Sequence, residues 1–248
     1  MTAGPATEPQ AIRVEPLSPA VGLWIGGVDL LRLDAGGAAM IEDLWQLGGA
    51  LLFREHLPAE DAALKLAAVL AKGPVGGGAP ADATADRAPV AGDWSMPGAQ
   101  AALPPKALVF AADEALPGLL LAGMEAAADA MHMEDPDFLA QIAGARAPHG
   151  EGGPPHPVLH RHPQTGEACF YPPPPQLASF PGAAALGEYA AQERFCYAHE
   201  WRPGDVLAID PRAVRCRWAS GRDEAVPAIT LPGAAPLLET RGSFGDWD

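Results

Sequence analysis

The stretch YAHEWRPGDVLAIDPRAVRC, residues 197–216, decides the fold class of this chain. It belongs to a region from His156 onward in which short apolar runs are separated by turn residues, the pattern of short β-strands. One helical pattern, over residues 184–192, interrupts that region. Short strands with a few helices packed outside them predict an α+β, mainly β fold, with a double-stranded β-helix (jelly roll, cupin-like) core and flanking helices.

Periodicity in the N-terminal half predicts helices that alternate with strands. Residues 12–33 predict a short hairpin with turns at Ser18-Pro19 and Gly26-Gly27. Residues 38–47 carry apolar side chains at helical spacing, and two glycines end this helix before a buried strand over residues 50–54. Further patterns predict helices over residues 60–71, 119–131 and 137–143 and a strand over residues 107–112.

Two segments are expected to lie outside the packed core. Residues 1–11 form a polar, Ala/Pro-rich tail that we expect to be disordered. Residues 73–92 are rich in Gly, Ala, Pro and Asp with almost no large apolar side chains, which predicts a mobile surface loop. The rest, residues 12–248, is expected to form a single domain, because β-rich domains often reach this size without splitting.

Composition limits the classes of partner. The formal net charge of -15 and the sequence pI of about 4.7 disfavour nucleic acid, whose phosphates require clustered Lys and Arg. Residues 1–10 lack the basic and apolar regions of a secretory signal, and no run approaches the ~18 apolar residues of a membrane span. Three distant cysteines, Cys169, Cys196 and Cys216, suit a reducing compartment. We therefore expect a cytoplasmic protein without membrane or nucleic-acid partners.

Four blocks of sequence, in order along most of the chain, carry a family resemblance. They are PL with GGVDL (residues 16–17 and 26–30), GGALLFR (48–54), HPVLHRHPQTG (156–166), and YAHEWRPGD with DPRA (197–205 and 210–213). In these blocks the chain resembles the taurine/2,4-dichlorophenoxyacetate dioxygenase family. The resemblance implies a jelly-roll core with helices on one face. In active members it also implies Fe(II) and 2-oxoglutarate at the mouth of the barrel.

The residues expected to bind iron are replaced. A facial iron site needs two imidazoles and one carboxylate. In the family a Trp is followed by His-x-Asp, whereas here Trp94 is followed by Ser95, Met96 and Pro97. The second imidazole should follow the Asp-x-Arg strand by a few residues, and counting from Asp210 places Cys216 there. Proline has no side-chain donor, so the expected ligand set is missing at these positions.

The positions expected to hold the co-substrate are replaced as well. A turn that normally gives a hydroxyl group to 2-oxoglutarate corresponds to Leu119, and the Arg that would pair with its far carboxylate corresponds to Ala228. Loss of one partner of a buried ion pair costs about 3–5 kcal/mol. We expect these positions to converge on one cavity as a vestigial pocket, formed by Trp94, Ser95, Pro97, Leu119, Cys216 and Ala228.

Other residues offer weak replacements. His156, His160 and His162 alternate along a predicted strand, which places them on one face, and neutral imidazoles suit Zn, Cu or Ni. We treat them as weak metal candidates, because two of them fall in a block that matches the family without a metal-binding role. Arg215, Arg217 and Arg222 could clamp a carboxylate, but alternation places Arg215 and Arg217 on the face opposite Cys216.

These observations predict a catalytically degenerate homologue of the family. We expect it to act as a small-molecule-binding, partner or regulatory subunit, as a homo-oligomer or paired with an active paralogue. We assign no catalytic, cofactor-binding or metal residue and expect no cofactor. Two alternatives stay open. The first is an active oxidoreductase of the same family, a dioxygenase or hydroxylase with unidentified ligands. The second is a cofactor-independent enzyme that reuses the pocket.

Overall fold

The computed structural model describes residues 11–71, 93–219, 226–233 and the backbone of 238–239. The predicted loop over residues 73–92, and all of the predicted tail except Ala11, lie outside the described residues. The strands are β1 (Arg13–Pro16), β2 (Leu23–Gly26), β3 (Ala50–Phe53), β4 (Ala107–Ala112), β5 (Leu119–Gly123), β6 (Arg146–Pro148), β7 (Pro155–Pro157), β8 (Leu159–Arg161), β9 (Ala168–Phe170), β10 (Cys196–His199), β11 (Asp205–Ile209), β12 (Val214–Trp218), β13 (Ala228–Leu231) and β14 (Leu238–Glu239). The α-helices are α1 (Ala35–Trp45), α2 (Ala59–Ala71), α3 (Met124–Glu134), α4 (Pro136–Ile142) and α5 (Ala183–Tyr189), and short 3-10 helices cover Leu30–Arg32, Pro175–Leu177 and Glu193–Phe195.

A six-stranded sheet in the order β1-β2-β3-β11-β4-β13 forms one wall of the core. Its central strand β11 pairs antiparallel with both neighbours, so that Val206 lies opposite Phe53 on one side and Ala111 on the other. Successive residues of a strand point to opposite faces. One face of this sheet therefore packs against α1 and α2 through residues such as Phe53 and Leu66. The other face turns towards the second sheet.

The second sheet, in the order β10-β5-β12, closes the sandwich. Its inward residues pack against Leu52, Phe110 and Leu207 of the first sheet in a shared apolar cluster, and include Leu119, Leu121, Val214, Cys216 and Trp218. A further apolar cluster joins this sheet's outer side, at Ala122, to α3, α4, α5, β8 and β9. Two sheets packed face to face with helices outside them match the architecture predicted from the sequence. No helix among the described residues is long and apolar enough to cross a membrane.

Most predicted elements are present, and one prediction is wrong. The predicted strand over 107–112 is β4, the hairpin is formed by β1 and β2, and the predicted helices near 38–47, 60–71, 137–143 and 184–192 correspond to α1, α2, α4 and α5. The predicted helix over 119–131 begins only at Met124, because Leu119–Gly123 is strand β5 at the centre of the second sheet. A short continuous apolar run does not distinguish a buried strand from a helix by its periodicity.

Gly123 is required where β5 enters α3. A Cβ at this position would lie 2.0 Å from the carbonyl oxygen of Ala20, a main-chain atom that cannot rotate away. Gly187, inside α5, would meet no atom within 4 Å. An alanine at position 123 would therefore meet a steric clash, whereas an alanine at position 187 would change only the helix propensity.

We expect Gly123→Ala to lower the free energy of unfolding by about 1–3 kcal/mol, because the overpacked main chain must shift. Gly187→Ala should leave the free energy of unfolding unchanged or raise it by up to about 1 kcal/mol, since Ala favours a helix. Urea unfolding followed by circular dichroism measures both. Equal stability of the two variants would show that Ala20 does not constrain Gly123.

Candidate functional site

Ser95 and Cys216 lie side by side where the second sheet meets the segment around Trp94. They form an isolated antiparallel bridge, with Ser95 N donating to the Cys216 carbonyl (2.9 Å) and Cys216 N donating to the Ser95 carbonyl (2.8 Å). The Ser95 Oγ and Cys216 Sγ atoms are 3.9 Å apart. The two positions predicted to replace the metal imidazoles are therefore neighbours in space.

The Cys216 side chain is a neutral thiol at neutral pH. It is 1% exposed. Burial raises its pKa to about 12, against the opposing effects of the Ser95 hydroxyl and the Arg215 charge. The thiolate is the form of cysteine that binds metals. The Ser95–Cys216 pair thus offers a hydroxyl and a neutral thiol at the positions where the family resemblance implies two imidazoles.

Leu119 and Ala228 face the same interior as Cys216. Leu119 lies opposite Trp218 in the second sheet, and Ala228 lies opposite Phe110 in the first. Aromatic rings fill the space around them, since Trp201 and Trp218 stack with centroids 6.2 Å apart and Phe110 contacts both indoles edge-on. The interior at these positions is apolar, although the indole nitrogens of Trp201 and Trp218 have no hydrogen-bond partner among the described residues.

Trp94 lies on the other side of the second sheet from Cys216. Its ring is 5.6 Å from the Arg215 guanidinium carbon and 5.0 Å from that of Arg217. This is the face on which alternation placed the two arginines. Pro97 is half-buried and follows Met96, which packs in the outer cluster. The interior cluster contains Leu119, Cys216 and Ala228, Ser95 lies against it through Cys216, and Trp94 is separate.

Arg215 lies on the outer face of the second sheet, yet its side chain is buried. It is 3% exposed, and its Nε and Nη1 atoms have no hydrogen-bond partner among the described residues. Burial lowers its pKa to about 10, so the guanidinium stays charged at neutral pH. Contact with the face of Trp94 provides part of its stabilisation through a cation–π interaction.

The three candidate histidines each bind a different structural partner. His156 Nε2 donates to the Ala101 carbonyl oxygen at 2.9 Å, and His160 Nε2 donates to the Arg212 carbonyl oxygen at 3.0 Å. His162 Nε2 lies 3.0 Å from Asp210 Oδ2. His156 is on β7, while His160 is on β8 and belongs to a different sheet. In the described part of the chain, no three His, Cys, Asp or Glu side chains are grouped so that they could hold a metal ion.

Sequence reasoning missed a buried ion pair that involves one of these histidines. Arg212 Nε donates to Asp210 Oδ1 (2.8 Å) and Arg212 Nη2 donates to Asp210 Oδ2 (2.6 Å), and both residues are at most 2% exposed. Burial acts to raise the Asp210 pKa, but the Arg212 and His162 charges hold that pKa well below its usual range. The Asp-x-Arg spacing signalled the pair, whereas nothing in the sequence placed His162 beside it.

Comparison with known proteins gives a family match and a shared fold. The model of the family described as taurine catabolism dioxygenase TauD, TfdA family matches residues 13–217. A crystal structure of AAD-2 in complex with Mn(II) and N-oxalylglycine is 18% identical, with a TM-score of 0.73 over 92% of this chain and 100% of that one. A taurine dioxygenase from Burkholderia xenovorans is 22% identical, with a TM-score of 0.68 over 95% and 96% of the two chains.

A third solved structure gives the same result. A putative alpha-ketoglutarate-dependent taurine dioxygenase from Burkholderia xenovorans is 21% identical, with a TM-score of 0.69 over 94% of this chain and 99% of that one. No curated protein sequence matches the chain. These structural likenesses confirm the predicted cupin-like jelly-roll fold.

Replacement of Asp210 tests the buried pair. We expect Asp210→Asn to lower the free energy of unfolding at pH 7 by about 3–5 kcal/mol, because Arg212 would remain buried without its counter-ion. Asp61→Asn, at an exposed position in the first turn of α2, should change it by less than about 1 kcal/mol.

The loss of unfolding free energy caused by Asp210→Asn should become smaller as the pH falls. A carboxyl whose pKa is depressed in the folded state stabilises the protein above its unfolded pKa of about 4 and loses that contribution as the pH falls. The difference in the free energy of unfolding between the wild-type protein and Asp210→Asn should therefore be about 1 kcal/mol smaller at pH 3 than at pH 7. Urea unfolding at both values measures it, and a constant or widening difference would contradict the assignment.

Proposed function

Because the chain belongs to the taurine catabolism dioxygenase TauD, TfdA family, we propose that it is a catalytically degenerate member that acts as a small-molecule-binding or partner subunit. The observation that carries the proposal is the Ser95–Cys216 pair. A hydroxyl and a buried neutral thiol lie 3.9 Å apart at the two positions where the resemblance implies metal-binding imidazoles. These groups do not support turnover through the facial site of the family.

Family membership corrects one expectation from the sequence. The expectation that the chain needs no cofactor is wrong, because the family consists of dioxygenases that depend on Fe(II) and 2-oxoglutarate, and a solved relative is described in complex with Mn(II) and N-oxalylglycine. The expectation rested on a few aligned side chains, whereas the family match covers residues 13–217. Fe(II) and 2-oxoglutarate are therefore the cofactors to add in any test of function.

The donor set at the aligned positions does not fit a facial iron site. Pro97 has no side-chain donor, Ser95 offers a hydroxyl, and the Cys216 thiol is neutral at physiological pH because burial raises its pKa to about 12. A facial site requires two imidazoles and a carboxylate. A metal ion bound by this chain would have to take ligands other than this set.

The apolar interior also supports the proposal. A co-substrate carboxylate directed at Leu119 and Ala228 would face leucine, alanine and the rings of Phe110, Trp201 and Trp218. Burial of a carboxylate without a partner is strongly unfavourable. The same lining suits an apolar ligand, whose burial is favourable in proportion to its area.

An active dioxygenase with other ligands is the second candidate, and one observation favours it. His149 and His160 flank the Tyr171 ring, with ring centroids 4.3 and 5.5 Å from it. Burial lowers the pKa of His149 to about 3 and that of His160 to about 4, so both imidazoles are in the neutral form that binds metals. His149 Nε2 and His160 Nδ1 have no hydrogen-bond partner among the described residues.

A turnover assay distinguishes the two candidates. The purified protein is supplied with Fe(II), 2-oxoglutarate and oxygen, and succinate is measured with amine and carboxylate substrates. We expect the wild-type protein to release no succinate above the protein-free background. Succinate release that is abolished by His160→Ala and unaffected by Cys216→Ala would establish the second candidate in place of the first.

Restoration of the missing ligands provides the positive test. We expect the triple variant Ser95→His, Pro97→Asp, Cys216→His to bind Fe(II) at least about tenfold more tightly than the wild-type protein, since it supplies the full facial ligand set. Alanine at the same three positions is the matched control and should bring no gain. Addition of Ala228→Arg should then improve 2-oxoglutarate affinity. Equal Fe(II) affinity of the triple variant and its alanine control would contradict the proposed position of the site.

A further inference from the structure

A cavity of about 320 Å³ opens at one edge of the six-stranded sheet, beside the start of β1 and the ends of β2 and β3, and its lining includes neither Ser95 nor Cys216. Arg13, Arg54 and Arg202 line it together with Glu55 and Trp24. Three guanidinium groups and one carboxylate give this lining a net charge of about +2, although the whole chain carries a formal charge of -15. A concentration of positive charge on an acidic protein indicates a site for an anion.

Strand register brings these distant residues together. Arg13 of β1 lies opposite Gly26 of β2, and Ile25 of β2 lies beside Phe53 of β3. Phe53 in turn lies opposite Val206 of β11. Arg54 directly follows β3, and Arg202 lies in the turn that leads into β11. The three arginines therefore meet at one end of four neighbouring strands.

The walls of the cavity are held in place from behind. His56 Nδ1 donates to the Arg54 carbonyl oxygen (2.8 Å), and the Leu30 N–H donates to His56 Nε2 (3.2 Å). This imidazole joins the loop after β3 to the segment after β2. Glu55, between Arg54 and His56, has a φ of 66°, which few residues other than glycine adopt. The His56 hydrogen bonds thus support the main chain of the loop that carries Arg54.

The guanidinium groups keep most of their donors for a ligand. Within the described residues, neither Arg13 nor Arg202 makes a side-chain hydrogen bond or a close ion pair. Arg54 has one such neighbour, the buried Asp205, whose Oδ1 is 4.0 Å from Arg54 Nε and too distant for a hydrogen bond. Each guanidinium carries five N–H donors in a planar fork that matches carboxylate and phosphate oxygens.

The Trp24 indole forms an apolar side of the cavity. It lies against Gly26, where a Cβ would be 2.7 Å from two of the ring carbons. The cavity therefore combines a flat apolar surface with three guanidinium groups, of which those of Arg13 and Arg202 are exposed and that of Arg54 is half-buried. Its volume exceeds that of a free phosphate ion and falls in the range of small-molecule sites.

From this arrangement we propose that the cavity binds a small dianionic oxyanion, a phosphate or dicarboxylate group, held by Arg13, Arg54 and Arg202. This binding activity goes beyond the proposed function and does not depend on it, because it uses no metal and no residue between the two sheets.

Calorimetric titration at constant ionic strength tests the proposal. The probes are inorganic phosphate, glycerol phosphate and succinate, with sodium chloride as the balancing salt. We expect saturable binding of at least one probe, and Arg54→Gln and Arg202→Gln should each raise its Kd about tenfold, because each removes charge-assisted hydrogen bonds to the anion. Lys65→Gln, at an exposed position of α2 outside the cavity, is the matched control and should leave the Kd unchanged.

Comparison of the three probes shows which class of anion the cavity prefers. Tighter binding of glycerol phosphate than of inorganic phosphate assigns the cavity to an organic phosphate, equal binding assigns it to free phosphate, and preference for succinate assigns it to a dicarboxylate. Should Arg54→Gln fail to fold because its contact with Asp205 is lost, Arg13→Gln and Arg202→Gln decide the question. No saturable binding of any probe up to about 10 mM, or equal weakening in Lys65→Gln, would overturn the proposal.

Discussion

The buried pair of Asp210 and Arg212 is the interaction on which the sandwich depends. It lies in the turn that carries the chain from β11 in the first sheet to β12 in the second. Asp210 N donates to the Gly49 carbonyl oxygen (2.7 Å), and the Asp210 carboxylate bonds His162 as well as Arg212. The Arg212 carbonyl accepts from His160. Removal of either partner of a buried ion pair is strongly destabilising, so this turn helps to fix both sheets and β8 relative to one another.

That constraint explains why the histidines of the HPVLHRHPQTG block serve the framework. His160 and His162 satisfy buried acceptors of the turn, and His156 satisfies the Ala101 carbonyl. An imidazole suits such a place because it supplies a directed donor from a mostly apolar ring. Histidine count along a strand is therefore a poor guide to metal sites wherever a buried carboxylate or carbonyl needs a donor.

The sequence predicted those features that depend on local pattern or on alignment to a family. The apolar runs of β3 and β4 and the spacing of α1 and α2 were enough to place these elements. Alignment brought Ser95 and Cys216 to neighbouring positions across more than a hundred residues. The strand at Leu119 was mistaken for helix, because a buried central strand has no alternation to reveal it. The arginine cavity was not foreseen, since strand register alone joins residues 13, 54 and 202.

The Ser95–Cys216 bridge is a contact between main chains. Two main-chain hydrogen bonds hold the segment around Trp94 against β12, and neither depends on the identity of the side chains at the bridge. The indole of Trp94 and the two arginines reinforce the junction from the outer side. A change of side chain at Ser95 or Cys216 therefore leaves the donors and acceptors of these two main-chain hydrogen bonds in place. The backbone architecture of this junction is thereby separate from the side-chain chemistry that it carries.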